Sequence, residues 1–102
     1  PGAGNIYTKE HAEGWSRVVK AVHDKGSLIF LQIFHAGRAS HPFVNGGLDL
    51  WAPSALAIPG RIPGQQIDYI APKEITLDEM KELKEQFLHS FKLAKEAGFD
   101  GV

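Results

Sequence analysis

The sequence contains no cysteine. A disulfide framework and a thiolate metal site are both excluded, and any metal would have to be held by His, Asp or Glu. An excess of one charge is missing too: 11 Lys and Arg stand against 12 Asp and Glu in 102 residues, a formal net charge of -1. Nothing basic is left over for wrapping nucleic acid or holding an anionic membrane surface, so neither partner is expected. No apolar run approaches the ~20 residues of a membrane-spanning helix, and no charged-then-apolar leader opens the chain. The glycines lack GxGxxG or P-loop spacing, which removes the familiar phosphate-cradling loops. There is no internal repeat and no low-complexity segment. A cytoplasmic, reducing setting is compatible with this cysteine usage.

What is present, 43% hydrophobic and 23% charged residues, suits one small domain. The chain starts at Pro1 rather than Met, and its last residues, "AGFDGV", read as a helix stop followed by a strand just beginning. Residues 1–102 are therefore expected to be an incomplete segment of a longer domain.

From Thr8 to about Lys25 the apolar positions Trp15, Val18, Val19 and Val22 recur at i, i+3, i+4 and i+7, one face of a helix. Thr8 serves as N-cap, with Glu10 in the first turn and Gly26 at C′. "SLIFLQIF" follows, dense in Leu, Ile and Phe and too short for a typical helix, and is expected to be a buried strand. Residues 35–75 hold every proline except Pro1 together with five glycines and show no sustained period. They are expected to form a long connection, with a short hairpin, a functional loop or lid, or disorder as the options. Thr76 and Glu79 then form a capping box, Met80, Leu83, Phe87, Phe91 and Ala94 a stripe, and Gly98 the stop, before a second strand from Phe99 to Val102. Strand, crossover helix, strand implies α/β architecture with a parallel sheet. A closed (β/α)8 TIM barrel takes ~250 residues, so the expected fold is a partial barrel: about two strands, two helices and a long intervening loop.

Alternation along the first strand puts Ile29, Leu31 and Ile33 on one face and Leu28, Phe30, Gln32 and Phe34 on the other. The first face, wholly aliphatic, suits packing against helices. The second would look into the barrel, with Gln32 and Phe34 near the C-terminal end of the strand, where ligands bind in this architecture. A buried primary amide is costly unless paired. Its partner is either a neighbouring strand or a ligand with a flat edge of donors and acceptors, and spacing does not decide between them.

"LIFLQIFHAGRASHP", preceded by "GWSRVVKAVHDKG" and followed by "WAPSALAIPG" and "EITLDEMKELKEQFLHSFKLAKEAGFDGV", resembles the old yellow enzyme family of FMN-dependent NAD(P)H oxidoreductases and ene-reductases. The resemblance covers essentially the whole chain, and "AVHDKG", "LQIFHAGR", "APSA" and "EAGFDGV" fall in the family's order and spacing. It implies a TIM barrel with FMN at its C-terminal mouth, matched around the third strand to the start of the fourth. It implies further that Gln32 hydrogen-bonds the pyrimidine end of the flavin and that Phe34 lines the substrate cavity. Hydride would pass from NAD(P)H to flavin and on to an activated alkene of the enone type, a small-molecule substrate. The family's His-His or His-Asn pair falls shortly after "GFDGV", so no catalytic residue is expected within residues 1–102, and these residues alone are not expected to turn over substrate. The alternative is a non-catalytic remnant or small binding module. Nothing in the pattern specifies an oligomeric state.

Other candidates are weaker. His35 and His41 bracket "AGRAS" without a nearby carboxylate, so no metal site is assigned, although a zinc-binding α/β fragment is a third reading. Arg38 suits an anion clamp or, better, a loop-anchoring ion pair. Trp51 is expected to anchor the long loop, Lys81, Glu82, Lys84 and Glu85 to be the solvated face of the second helix, and His23 to favour the end of the first helix dipole. Tyr7 and Tyr69 have no evident partner and are not assigned as proton donors.

Overall fold

The computed structural model describes residues 4–102, arranged as helix α1 (Lys9–His23), a 3-10 turn (Gly37–Ala39), helix α2 (Pro42–Asn45), strands β1 (Trp51–Ala52) and β2 (Lys73–Glu74), and helix α3 (Leu77–Ala97). Two compact units divide the chain: His35–Met80, and the described residues up to Phe34 together with Lys81–Val102.

In the latter unit α1 starts where expected. Thr8 is extended (φ -125°, ψ 165°) and its hydroxyl accepts the His11 N–H at 3.2 Å. The helix ends in a pair of bonds that define a Schellman turn, Gly26 N–H to the His23 carbonyl at 2.8 Å and Ser27 N–H to the Val22 carbonyl at 3.4 Å. Gly26, at φ 75°, takes the left-handed position. Helix α3 ends the same way, through Gly98 N–H to Lys95 and Phe99 N–H to Ala94, with Gly98 at φ 92°.

The buried faces differ from those expected. Ala12 and Val19 are buried on α1 with Trp15 and Val22 half-buried, but Val18 points outward. On α3 the inward row is Leu83, Phe87, Ser90, Ala94 and Ala97, with Leu93 beside it, whereas Met80 and Phe91 are exposed. The core cluster combines Ile6, Ala12, Leu93, Ala94 and Ala97, flanked by Trp15, Leu31, Ile33 and Phe99. Three of its five members are alanines, and the expected core residues Val18, Met80 and Phe91 are exposed.

"SLIFLQIF" is extended but is not a buried strand. Ile29, Leu31 and Ile33 are half-buried against the helices, and the alternate residues Leu28, Phe30, Gln32 and Phe34 are all exposed. Its parallel partner is the expected one, reached through a single bridge, Phe30 to Gly101. Leu31 N–H donates to the Gly101 carbonyl and Asp100 N–H to the Ile29 carbonyl, both at 3.0 Å. Among the described residues no layer covers the even-numbered face, where the Phe30 ring only borders Gly101, which is why burial stops halfway.

The unit His35–Met80 is more ordered than a structureless connection. Strands β1 and β2 pair in parallel, Trp51 opposite Lys73 and Ala52 opposite Glu74, and bury Leu50, Ala52 and Pro72. Trp51 ties into the loop through its main chain, by ladder pairing with Lys73 and by its carbonyl, 3.8 Å from where a Cβ on Gly37 would sit in the 3-10 turn. The expected hairpin is present at 60–69, bridged by Arg61 and Asp68 and closed by Ile62 N–H to the Ile67 carbonyl at 2.9 Å. The capping box of α3 forms in full: Thr76 N–H donates to Glu79 Oε2 at 2.9 Å, and Glu79 N–H to Thr76 Oγ1 at 3.3 Å. Glu79 also receives Lys73 Nζ. Among the described residues no helix is long and apolar enough to cross a membrane.

Candidate functional site

Gln32 and Phe34 stand two residues apart on the open face of the extended segment, with Phe30 and Leu28 completing the row. Phe30 is 64% and Phe34 68% exposed, so the amide is flanked by two largely open aromatic rings. The expectation that Gln32 is buried is overturned. The residue is exposed, and its amide makes no hydrogen bond to any described residue. Beside it is a depression of about 230 Å³ whose walls include Asn5, Trp15, Ile33, Phe34 and Ser90. Trp15 is fixed there by its indole N–H, which donates to the Asn5 carbonyl at 2.9 Å, and by a tilted ring contact with Phe99 at 5.7 Å.

The base of the segment is fixed by an acid that the sequence did not single out. Asp100 Oδ2 accepts the Ile29 N–H at 2.8 Å and lies 2.8 Å from His23 Nε2, which must carry the proton because a carboxylate only accepts. The His23 hydrogen bond foremost, and then the Ile29 N–H, hold the Asp100 carboxyl below its ordinary range. His23, expected only to suit a helix dipole, therefore bonds across 77 residues of sequence. The only signal for Asp100 was its place in "GFDGV", which names no partner.

The loop histidines do local work. His35 Nδ1 accepts the Gly37 N–H at 3.2 Å, and His41 Nδ1 caps α2 by accepting the Phe43 N–H at 3.0 Å. Among the described residues no three potential metal ligands come together. Arg38 anchors its loop, but through the Leu56 carbonyl at 3.5 Å rather than the expected ion pair. Tyr7 packs edge-on against His11, and its carbonyl accepts from His89 Nε2 at 3.0 Å. Lys81, Glu82, Lys84 and Glu85 are exposed as expected.

A parallel strand pair backed by helices, with one strand face left apolar and open around a single amide, is a portion of a (β/α)8 barrel. The solved structure of the old yellow enzyme homologue from Zymomonas mobilis overlays it with a TM-score of 0.91 at 36% identity, over 100% of this chain and 29% of that one. The chain belongs to the NADH:flavin oxidoreductase / NADH oxidase family, whose profile matches residues 1–102. It is 43% identical to "Flavin oxidoreductase hxnT" of Emericella nidulans over all of this chain and 26% of that protein. It is 39% identical to a Leishmania infantum protein named "Probable flavin mononucleotide-dependent alkene reductase", over 97% of this chain and 29% of that protein. The chain thus spans between a quarter and a third of the length of the curated relatives it matches.

Proposed function

We propose that residues 1–102 are a segment of an FMN-dependent oxidoreductase that takes hydride from NAD(P)H and reduces activated alkenes, with Gln32 binding the flavin and Phe34 lining the substrate cavity. The observation that carries this reading is the unpartnered Gln32 amide on an open aromatic face. An amide offers two donors and an acceptor in one plane, which matches the alternating carbonyls and N–H of a flavin's pyrimidine edge. Phe30 and Phe34 on either side supply apolar surface of the kind a flat heteroaromatic ring covers. The residues present therefore fit the cofactor that the family membership points to.

When bound, FMN supplies the hydride chemistry, accepting two electrons and delivering them to carbon. The contribution of this segment is to bind and orient. Gln32 fixes the polar end of the ring, and Phe34 keeps one wall of the cavity apolar so that an enone-type small molecule is bound through its carbon skeleton. No catalytic acid or base is assigned within these residues, and the reading needs neither a metal nor a nucleic acid or membrane partner.

The test is Gln32→Ala in the full-length gene product. Losing one or two hydrogen bonds to the ring should weaken FMN affinity by about tenfold, read by flavin fluorescence during titration of the apoprotein. Unchanged affinity would remove Gln32 from the cofactor site.

A further inference from the structure

The strand that carries Gln32 is held by very little backbone. One bridge, Phe30 to Gly101, and two main-chain bonds at 3.0 Å tie it to its parallel neighbour. The next donor toward its start, Ile29 N–H, is taken by the Asp100 side chain instead of a carbonyl, and His23, the last residue of α1, reaches the same carboxylate oxygen. That oxygen therefore joins a helix end, the first half of the Gln32 strand and the neighbouring strand.

Strand faces alternate with a period of two, so a slip of one residue would turn Gln32 and Phe34 inward and bring Leu31 and Ile33 out. Backbone bonds alone oppose such a slip weakly, because every residue offers the same N–H and carbonyl. A side-chain acceptor is different: Asp100 supplies it, and within the extended segment it takes the Ile29 N–H. A second, steric lock adds to it. A Cβ built on Gly101 would lie 2.7 Å from two ring carbons of Phe30, so the ring seats on a position that only glycine leaves open.

We propose that Asp100 and His23 are positioning residues for the flavin-binding amide: they fix the register of the extended segment through Ile29 and so keep Gln32 on the open face. Ile29 is three residues from Gln32, about 10 Å along an extended chain at ~3.3 Å per residue. Neither Asp100 nor His23 is offered as a contact of the cofactor; both act through the strand. The inference rests on the assignment of Gln32 to the flavin.

The experiment is a double-mutant cycle in the full-length protein, with FMN affinity and the visible absorption band of the bound flavin as readouts. Gln32→Ala and Asp100→Ala are each expected to weaken FMN by about tenfold, a lost hydrogen bond's worth. The double variant is expected to match Gln32→Ala alone, because an amide that is absent cannot be misplaced. Asp100→Asn keeps an oxygen acceptor for Ile29 and should recover most of the affinity. It also serves as the second variant should Asp100→Ala fail to fold. Multiplying losses in the double variant would overturn the inference, since Asp100 would then act on stability or on another contact. Wild-type affinity and an unshifted band in Asp100→Ala would overturn it too. No effect from Gln32→Ala itself would instead defeat the flavin assignment, and the inference with it.

Discussion

Gly98→Ala gives a sharp test of how the end of α3 delivers the strand that pairs with the Gln32 segment. Gly98 has φ 92°, and its N–H and that of Phe99 close the helix onto the Lys95 and Ala94 carbonyls at 3.1 and 3.2 Å. An alanine there meets no clash, because its Cβ would lie 3.5 Å from Val19 Cγ1, ordinary contact. The cost is conformational: a left-handed backbone costs an L-residue roughly 1–2 kcal/mol. A little of that is returned by new contact with Val19 and by the stiffer unfolded chain, leaving a net loss of about 1 kcal/mol. Gly14 is the internal control. It lies within α1 with nothing within 4 Å of its would-be Cβ and no positive φ, so Gly14→Ala should stabilise by about 0.5–1 kcal/mol. Urea denaturation followed by far-UV circular dichroism reads both values. The reasoning fails if the two variants shift the midpoint in the same direction, or if Gly98→Ala matches the parent.

Two further outcomes are expected. The Glu79 carboxyl is lowered from 4.5 to about 2 by Lys73 and then by the Thr76 backbone and hydroxyl; a depressed acid stabilises fully above its unfolded value, so its share is lost as pH falls from about 4.5 toward 2, and Glu79→Gln should flatten that part of an acid-denaturation curve. An acid limb identical to the parent's would show that the ion pair is idle. Ala94 is fully buried, so Ala94→Leu should cost about 1–3 kcal/mol by overpacking; a variant as stable as the parent in guanidinium unfolding would mean the cluster around Ile6 has room to spare.

The local features were legible because their determinants are neighbours in sequence. Thr8, the Thr76 and Glu79 box, Gly26 and Gly98 each act within five residues, and each stands in its expected role. Strand alternation from Ile29 to Phe34 was equally local. What escaped was the depth of each position. The periodic pattern includes Val18, Met80 and Phe91, and only the assembled cluster shows that Ala12 and Ala97 are buried in their stead. Gln32 was expected to be buried because its neighbours are greasy, yet burial needs a covering layer and its face has none among the described residues. The two-residue strands β1 and β2 lie in a stretch rich in proline and glycine, where pairing is set by a partner 22 residues away and not by propensity. His23 and Asp100 escaped for the same reason at longer range.

That range has a consequence for how the protein comes into being. The bonds that start α3 span three to six residues and close at little entropic cost. The bond proposed to set the face of Gln32 joins Ile29 to Asp100, 71 residues apart. During synthesis this bond can form only once residue 100 has been made, long after Ile29 itself. The contact is thus late in chain order, after the residues of α1, α2 and α3 have all been made.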